Sequence, residues 1–373
     1  MKVLIAMDSM KGSLSSLEAG ASVADGVRRA FPDASCIVRP LADGGEGTVE
    51  ALVEGLSGQM RSLEVTGPKG AKVVAKYGVV GETAIMEMAQ ASGITLLERS
   101  ELDPRVTTTY GVGEMIRNAL ASGCRRFIIG IGGSATNDAG AGMLQALGYK
   151  LLDSSGDELP FGGATLSKIA SIDSSCAIKE LSDAVFKIAC DVTNPLCGDN
   201  GASAVYGPQK GASEEVVKEL DASLLHFANV AGGDYNAPGA GAAGGLGFAF
   251  LRFLGGELKR GVELVLEETS FDSYVSQVDV VVTGEGRLDA QTAMGKAPCG
   301  VAERAKRYSK KVIAFAGSVT REANILNSKG IDAFFPILRS VVTLDEALDK
   351  LNAAENLAAT TEQVFRCLKL MER

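Results

Sequence analysis

Short polar segments bracketed by glycine recur along this chain directly after runs of strand-forming residues. That pairing constrains the fold more than any other feature. Asp8-Ser-Met-Lys-Gly-Ser13 follows an expected strand over 3–7, and Gly284-Glu-Gly-Arg-Leu-Asp289 follows one over 279–283. Asp43-Gly-Gly-Glu-Gly-Thr48 follows the less regular stretch 36–41. Strand, glycine loop and helix make the repeating piece of an open parallel sheet, which binds ligands at the carboxyl ends of its strands. Glycine lets the backbone approach a ligand closely, and neighbouring acids point to a metal–phosphate partner. The chain reads as an enzyme.

The two chain ends carry the plainest alternation. Strand 3–7, a helix over 15–30 opened by the capping-box pair Ser15 and Glu18, strand 36–41 and a helix over 48–56 make a βαβα start. From 63 to 88 the texture changes to alternating segments punctuated by Gly67-Pro-Lys-Gly70 and Gly81, which predicts hairpins. Strands over 127–131 and 185–190 and helices over 109–122, 139–147, 214–230 and 246–254 follow. Strand 279–283, helix 296–308, strands 312–316 and 333–336 and an amphipathic tail begun by Thr343 and Glu346 complete the chain. The expected fold class is α/β with two domains. Residues 1–66 and 272–373 form a discontinuous Rossmann-like parallel-sheet domain, and 67–271 an inserted mixed α/β domain, with the active site in the cleft between them.

Forty-five of 373 residues are glycine, about 12% against an average near 7%. They follow no collagen period, so they serve loops. A net charge of −9 argues against nucleic acid, which needs a basic face. The seven cysteines are scattered without a C-x-x-C pair, which excludes a clustered thiolate zinc site. The opening apolar run is too short for a signal peptide, and no apolar stretch reaches the length of a membrane span. A cytoplasmic protein with no membrane partner is expected.

Three further segments could carry chemistry. Gly130-Ile-Gly-Gly-Ser-Ala-Thr-Asn-Asp138 follows a strand and opens a helix, so its backbone N–H groups could cradle phosphates. It also matches G-x-G-x-x-A, with Asp153 beyond a possible strand 149–152, which keeps an NAD-dependent hydroxy-acid dehydrogenase as a rival. The negative charge of Asp138 beside Asn137 is unhelpful to a pyrophosphate there. Asp191-Val-Thr-Asn-Pro-Leu-Cys-Gly198 puts a carboxylate at a strand end, and Gly207-Pro-Gln-Lys-Gly211 supplies Lys210. Gly239-Ala-Gly-Ala-Ala-Gly244 fits G-x-G-x-x-G but follows no strand, so close packing or a hinge explains it equally well. Gly295-Lys296 is followed by alanine, so there is no Walker A turn, and no H-R-D kinase signature exists. His226 is the sole histidine and lies on an apolar-patterned helix, which leaves no Ser-His-Asp triad.

In order and over nearly the whole chain, these segments resemble the bacterial glycerate kinase family, of the glycerate 2-kinase type. They are Asp8-Ser-Met-Lys-Gly-Ser13, Ala42-Asp-Gly-Gly-Glu-Gly-Thr48, Gly132-Gly-Ser-Ala-Thr-Asn-Asp138, Asp191-Val-Thr-Asn-Pro-Leu196, Tyr206-Gly-Pro-Gln-Lys-Gly-Ala212 and Thr283-Gly-Glu-Gly-Arg-Leu-Asp289. The resemblance implies a two-domain kinase that moves the γ-phosphoryl of ATP to D-glycerate with Mg²⁺. It favours 2-phosphoglycerate as product and a role in glycerate, glyoxylate or sugar-acid breakdown.

Residue chemistry then distributes the roles. Asp8, Ser9, Lys11 and Ser13 are expected at the glycerate carboxylate, and Asp43, Gly44, Gly45 and Glu46 at its hydroxyls. Asp191 and Lys11 are the catalytic candidates; Asp191 either handles the hydroxyl proton or, with Asp138, holds Mg²⁺. Gly132, Gly133, Ser134, Thr136, Asn137, Lys210, Glu285 and Arg287 are expected at ATP. A non-catalytic ligand-binding protein is the remaining alternative, distinguished by binding without turnover. The chain is expected as a monomer or homodimer.

Overall fold

In the first sheet, Lys2–Met7 supplies five consecutive apolar residues from Val3 to Met7, all fully buried. A strand buried on both faces belongs at the centre of a parallel sheet. The computed structural model describes residues 1–45 and 47–371, so the expectation for Glu46 lies outside the described residues. It orders the strands of this sheet Ala333–Pro336, Lys311–Val319, Val280–Leu288, Lys2–Met7, Ser35–Val38, and every neighbouring pair is parallel.

Helix Ser16–Ala30 starts where the sequence places it. Ser15 Oγ accepts the Glu18 N–H at 3.3 Å, and a Glu18 carboxylate oxygen accepts the Ser15 N–H at 3.0 Å. Ala19, Val23, Ala24 and Val27 form the buried face of this helix. Helix Lys350–Met371 packs beside it, close enough that a methyl group on Gly26 would strike the Ala358 carbonyl. Ser15→Ala is expected to lower stability by about 1 kcal/mol, read from the urea midpoint at unchanged slope.

One expected loop is mostly strand. Val280–Leu288 runs through Gly284, Glu285 and Arg287 because Lys311–Val319 stays paired along it, Glu285 opposite Ala316 and Arg287 opposite Ser318. On the other side Lys2–Met7 ends opposite Gly284, so that edge of the strand opens just where the polar residues begin. Gly284 is no turn residue here, since a side chain would collide with the Phe315 carbonyl of the neighbouring strand.

A second sheet of six strands is ordered Glu257–Lys259, Val185–Ala189, Arg126–Gly130, Thr83–Glu87, Lys72–Val80, Gln59–Thr66. The last three strands are antiparallel neighbours, as the alternation over 63–88 predicts, and the others are parallel. Phe127 stacks on Phe186 with centroids 4.7 Å apart in its core. The register aligns Glu87, Gly130, Ala189 and Lys259 in one row at the carboxyl ends of the four parallel strands.

The chain divides into two compact units. The first is Met1–Asp43, Glu50–Leu56 and Val262–Arg373; the second is Gly44–Val49 and Ser57–Gly261. Strand Gln59–Thr66 therefore packs with the middle of the chain, because its pairing partner is Lys72–Val80.

Two local readings are corrected. Lys150–Leu152 pairs antiparallel with Ser171–Asp173 in a separate small sheet, so Asp153 does not end a strand beside Arg126–Gly130. The segment 132–138 does not open a helix either. A left-handed turn at Ala139 and Gly140, with φ 52° and 73°, comes first, and helix Ala141–Ala146 begins after it. The dinucleotide fingerprint lacks both of its structural supports.

Candidate active site

In the first unit, hydrogen bonding at the carboxyl end of Lys2–Met7 fixes the first polar loop. Asp8 N–H donates to the Gly284 carbonyl at 2.8 Å, so the turn leaves the sheet beside Val280–Leu288. Ser16 Oγ donates to the Met7 carbonyl at 2.7 Å and accepts from the Leu41 N–H at 2.9 Å. That single hydroxyl joins the end of the strand to the segment leading into Asp43. Ser13 Oγ is engaged with the Met10 carbonyl at 2.9 Å, so it shapes the turn. Lys11 is exposed, and Ser9 and Ser13 are half-buried.

Asp8 is only 6% exposed, and its Oδ1 accepts the Ser9 N–H at 2.7 Å. Burial and then the charge of Asp43 push its carboxyl up to about 7, with a smaller push from Glu285, against the opposing pulls of the Ser9 N–H and Lys11. Glu285 is itself buried, which raises its carboxyl. It accepts the Thr292 hydroxyl at 2.6 Å and lies 4.0 Å from Lys296 Nζ. Arg287 stays largely exposed, 3.5 Å from Asp289. Glu285 and Arg287 thus sit in the same unit as Asp8 and Lys11 and not in the unit that holds 132–138. Thr292 and Lys296 support Glu285, a link across a turn that the one-dimensional pattern did not reveal.

The second unit assembles Gly44, Gly45, the 132–138 segment, Asp191 and Lys210. Here glycine packs on glycine. A methyl group on Gly130 would lie 2.5 Å from the Gly44 carbonyl oxygen. One on Gly44, whose φ is +88°, would lie 2.8 Å from both Ala189 and Gly261. Gly132 and Gly133 are exposed, and nothing stands within 4 Å of the place a Gly132 side chain would occupy. A cavity of about 380 Å³ opens here, lined by Gly44, Gly130, Gly132, Gly133, Glu87 and the apolar side chains of Val74, Ile94 and Leu96. Glu87 ends its strand in the aligned row and is 6% exposed. The sequence reading passed over it because it looks like one polar position in an alternating strand.

Several expected ligand contacts turn out to be internal. Thr136 and Asn137 are fully buried, and Asn137 donates to Ser203 Oγ at 2.9 Å. Asp138 is 1% exposed, and its carboxylate accepts from Thr109 N–H and hydroxyl at 2.8 Å each and from Gly140 and Gly142 N–H at 3.2 Å each. Four donors satisfy it, so Asp138 is a structural acid and does not fit a metal ion. Lys210, expected at a phosphate, is 1% exposed beneath the segment and donates to Ser134 Oγ at 2.7 Å and the Thr136 carbonyl at 2.6 Å. Gly244 lies so close that a side chain would meet the Thr136 carbonyl, and its own carbonyl accepts the Ala139 N–H at 2.9 Å. The glycine-rich stretch is therefore a close-packing support for 132–138. His226 reaches the Ile169 carbonyl at 2.8 Å, a scaffold contact.

Burial brings the Lys210 ammonium down to about 7, with Asp138 opposing. Between that value and 10.5 the unfolded chain holds a proton that the folded one has released, so stability rises with pH over this window. Lys210→Met is expected to flatten that rise, seen by comparing urea unfolding at pH 7 and pH 10.

Asp191 is exposed at the end of Val185–Ala189, and its Oδ1 accepts the Gly261 N–H at 3.0 Å. Among the described residues no cluster of three or more histidine, cysteine or acidic side chains could hold a metal by itself. An open glycine turn at a strand end, reached without a Walker A turn and paired in sequence with strand-end acids, is the equipment of a small-molecule phosphotransferase.

Comparison with known proteins agrees. The profile of the glycerate kinase family matches residues 3–369. Glycerate 2-kinase of Escherichia coli (strain K12) is 50% identical over 372 residues, covering 96% of this chain and 98% of that one. Glycerate kinase of Bacillus subtilis (strain 168) is 48% identical over 377 residues, covering 99% and 98%. A Salmonella typhimurium LT2 crystal structure assigned as glycerate kinase 2 superposes with a TM-score of 0.92 at 47% identity, covering 100% of this chain and 99% of that one. The chain belongs to the glycerate kinase family, enzymes that phosphorylate glycerate. Among the described residues no helix is long and apolar enough to cross a membrane.

Proposed function

We propose that the protein transfers the γ-phosphoryl group of ATP to D-glycerate in the cytoplasm and that the product is 2-phosphoglycerate. The observation that carries this reading is the open turn at Gly132 and Gly133, at the rim of a cavity floored by glycine. Backbone N–H groups free of side-chain cover suit phosphate oxygens, and phosphoryl transfer asks mainly for alignment and charge neutralisation. The product preference is supported by the relative described as a glycerate 2-kinase.

Lys11 suits the glycerate carboxylate, being an exposed cation beside Ser9. Asp8 suits the hydroxyl proton, since a carboxyl near 7 is matched to neutral pH. Asp191 fits Mg²⁺, which is commonly held by one or two carboxylates together with nucleotide phosphates and water. When bound, the ion neutralises charge on the transferring group. Gly44 keeps the backbone close to Gly130, and Lys210 and Gly244 hold the 132–138 segment from beneath. Arg287, exposed beside Asp289, suits either charged substrate as a cation.

Lys11→Ala is expected to raise KM for glycerate roughly 10- to 100-fold, the value of a charge-assisted hydrogen bond, with a smaller change in KM for ATP. An unchanged glycerate KM moves the carboxylate elsewhere. The reaction itself is tested by ADP release from Mg·ATP on adding D-glycerate, with ³¹P NMR of the same sample. Glycerate-dependent turnover with a 2-phosphoglycerate signal is the expected result. No turnover by folded protein overturns the reading, and a 3-phosphoglycerate signal overturns its product.

A further inference from the structure

We propose that Leu348, from the segment leading into the last helix, is a positioning residue for glycerate: it braces the glycine turn that carries Lys11. The inference rests on the reading of Lys11 as the carboxylate contact. All of the residues involved belong to the first unit.

The turn has a fixed base and a bare tip. Met10 and Leu14 are each 3% exposed, the Met10 N–H donating to the Leu14 carbonyl at 2.9 Å and the Leu14 N–H to the Met10 carbonyl at 3.1 Å. Lys11 and Gly12 stand exposed between them, with Gly12 at φ +86°. Because Lys11 is exposed, the backbone of the turn sets where its ammonium can reach. Glycine brings no side chain of its own to anchor that backbone.

Two groups remote in sequence reach the tip. A side chain on Gly286 of strand Val280–Leu288 would lie 3.6 Å from the Lys11 backbone nitrogen. The two methyl carbons of Leu348 stand 3.4 and 3.6 Å from the place a Gly12 side chain would occupy. The leucine therefore packs on the side toward which residue 12 would point.

Leu348 is itself held in place. Its short helix, Leu344–Leu348, is capped by Thr343, whose Oγ1 accepts the Glu346 N–H at 3.3 Å. Lys350, two residues on, pairs with the Glu18 carboxylate, which also accepts the Ser15 N–H at the end of the same loop. An exposed ion pair adds little stability, but this one sets the register of Leu348 against Gly12. At the other end, the Ile337 N–H donates to the Ala316 carbonyl at 2.8 Å. The chain thus passes from the edge strand Ala333–Pro336 to the loop after Lys2–Met7, two strands further in than its neighbour. A tip braced in this way is ordered before glycerate arrives, so less binding free energy goes into ordering it.

The test is a double-mutant cycle between Leu348 and Lys11, read in KM. Leu348→Ala is expected to raise KM for glycerate about 3- to 10-fold with KM for ATP unchanged. Leu348→Met, similar in volume, should restore it. In a Lys11→Ala background Leu348→Ala should change the glycerate KM by less than about twofold, since residues acting through one contact are not additive. Hydrogen exchange over 10–15 should quicken in Leu348→Ala while exchange over 141–146 stays as in wild type. An unchanged glycerate KM, an equal rise in both backgrounds, or an equal rise for ATP overturns the proposal. Should Leu348→Ala not fold, Leu348→Val carries the same cycle. If Lys11→Ala raises the glycerate KM and Leu348→Ala does not, this inference alone fails. If Lys11→Ala leaves it unchanged, the carboxylate reading fails and takes this one with it. In protein without glycerate turnover, quickened exchange leaves the brace standing while the kinase reading falls, and unchanged exchange removes the brace as well.

Discussion

Asp8→Asn is expected to lower kcat by about 10²- to 10⁴-fold, the range for losing a positioned proton acceptor, while making the protein more stable at pH 8. The two effects have one cause. Asp8 is buried beside Asp43 and Glu285, which lifts its carboxyl from 3.8 to about 7. Because the folded-state value is the higher one, the folded protein keeps a proton that the unfolded chain has lost between those limits. Stability present below pH 3.8 is thus lost as pH rises through about 7. The loss is on the order of 4 kcal/mol at most. Asparagine keeps the size and can still accept the Ser9 N–H, but it has no charge to bury. Urea unfolding from pH 4 to 8 should therefore slope downward for wild type and run flatter for the variant. In the same interval the wild-type rate should rise with pH, as the carboxylate forms. A variant with wild-type kcat would remove Asp8 from proton transfer. A variant no more stable at pH 8 would mean that the carboxyl is not strained by its surroundings.

Gly130→Ala is expected to lower kcat/KM for ATP by about 10- to 100-fold, because shifting a reacting arrangement by about 1 Å can cost as much. The added methyl group would stand 2.5 Å from the Gly44 carbonyl oxygen, and Gly44 has nowhere to retreat, since Ala189 and Gly261 close it in from behind. Either the 44–49 segment lifts or the end of Arg126–Gly130 turns, and both distort the cavity floor. Overpacking of this kind costs about 1–3 kcal/mol, so the melting temperature should fall by several degrees. Gly123→Ala separates backbone strain from this clash, because its φ of +91° strains a side chain while nothing lies within 4 Å of it. If Gly130→Ala kept wild-type nucleotide kinetics, the floor would play no part in binding.

Much of the fold was legible because its signals are local. A five-residue apolar run ended by a polar glycine loop fits a buried strand, and the Ser15–Glu18 pair caps a helix by direct hydrogen bonds three residues apart. The hairpins of 59–87 follow from alternation and turn residues in the same short window. Glycine was harder to interpret. Gly284 reads as a turn residue, yet its smallness is required by a backbone carbonyl of the neighbouring strand, while Gly244, left open in the sequence between a ligand loop, close packing and a hinge, packs against the Thr136 carbonyl. The strand through Glu285 and Arg287 likewise depends on Lys311–Val319 staying paired after Lys2–Met7 has ended.

The amino-acid sequence alone determined that this is an α/β enzyme with polar loops at strand ends, and the order of its motifs identified the family. Tertiary structure decided which polar residues face outward. Asp138 and Lys210 have the composition of ligand-binding groups and are enclosed by Thr109, Ser134 and the backbone of 136–142. Glu87 has the composition of an ordinary strand residue and lines a cavity. Charge and hydrogen-bonding capacity belong to a residue wherever it stands, but solvent access and neighbours are set by packing between distant segments.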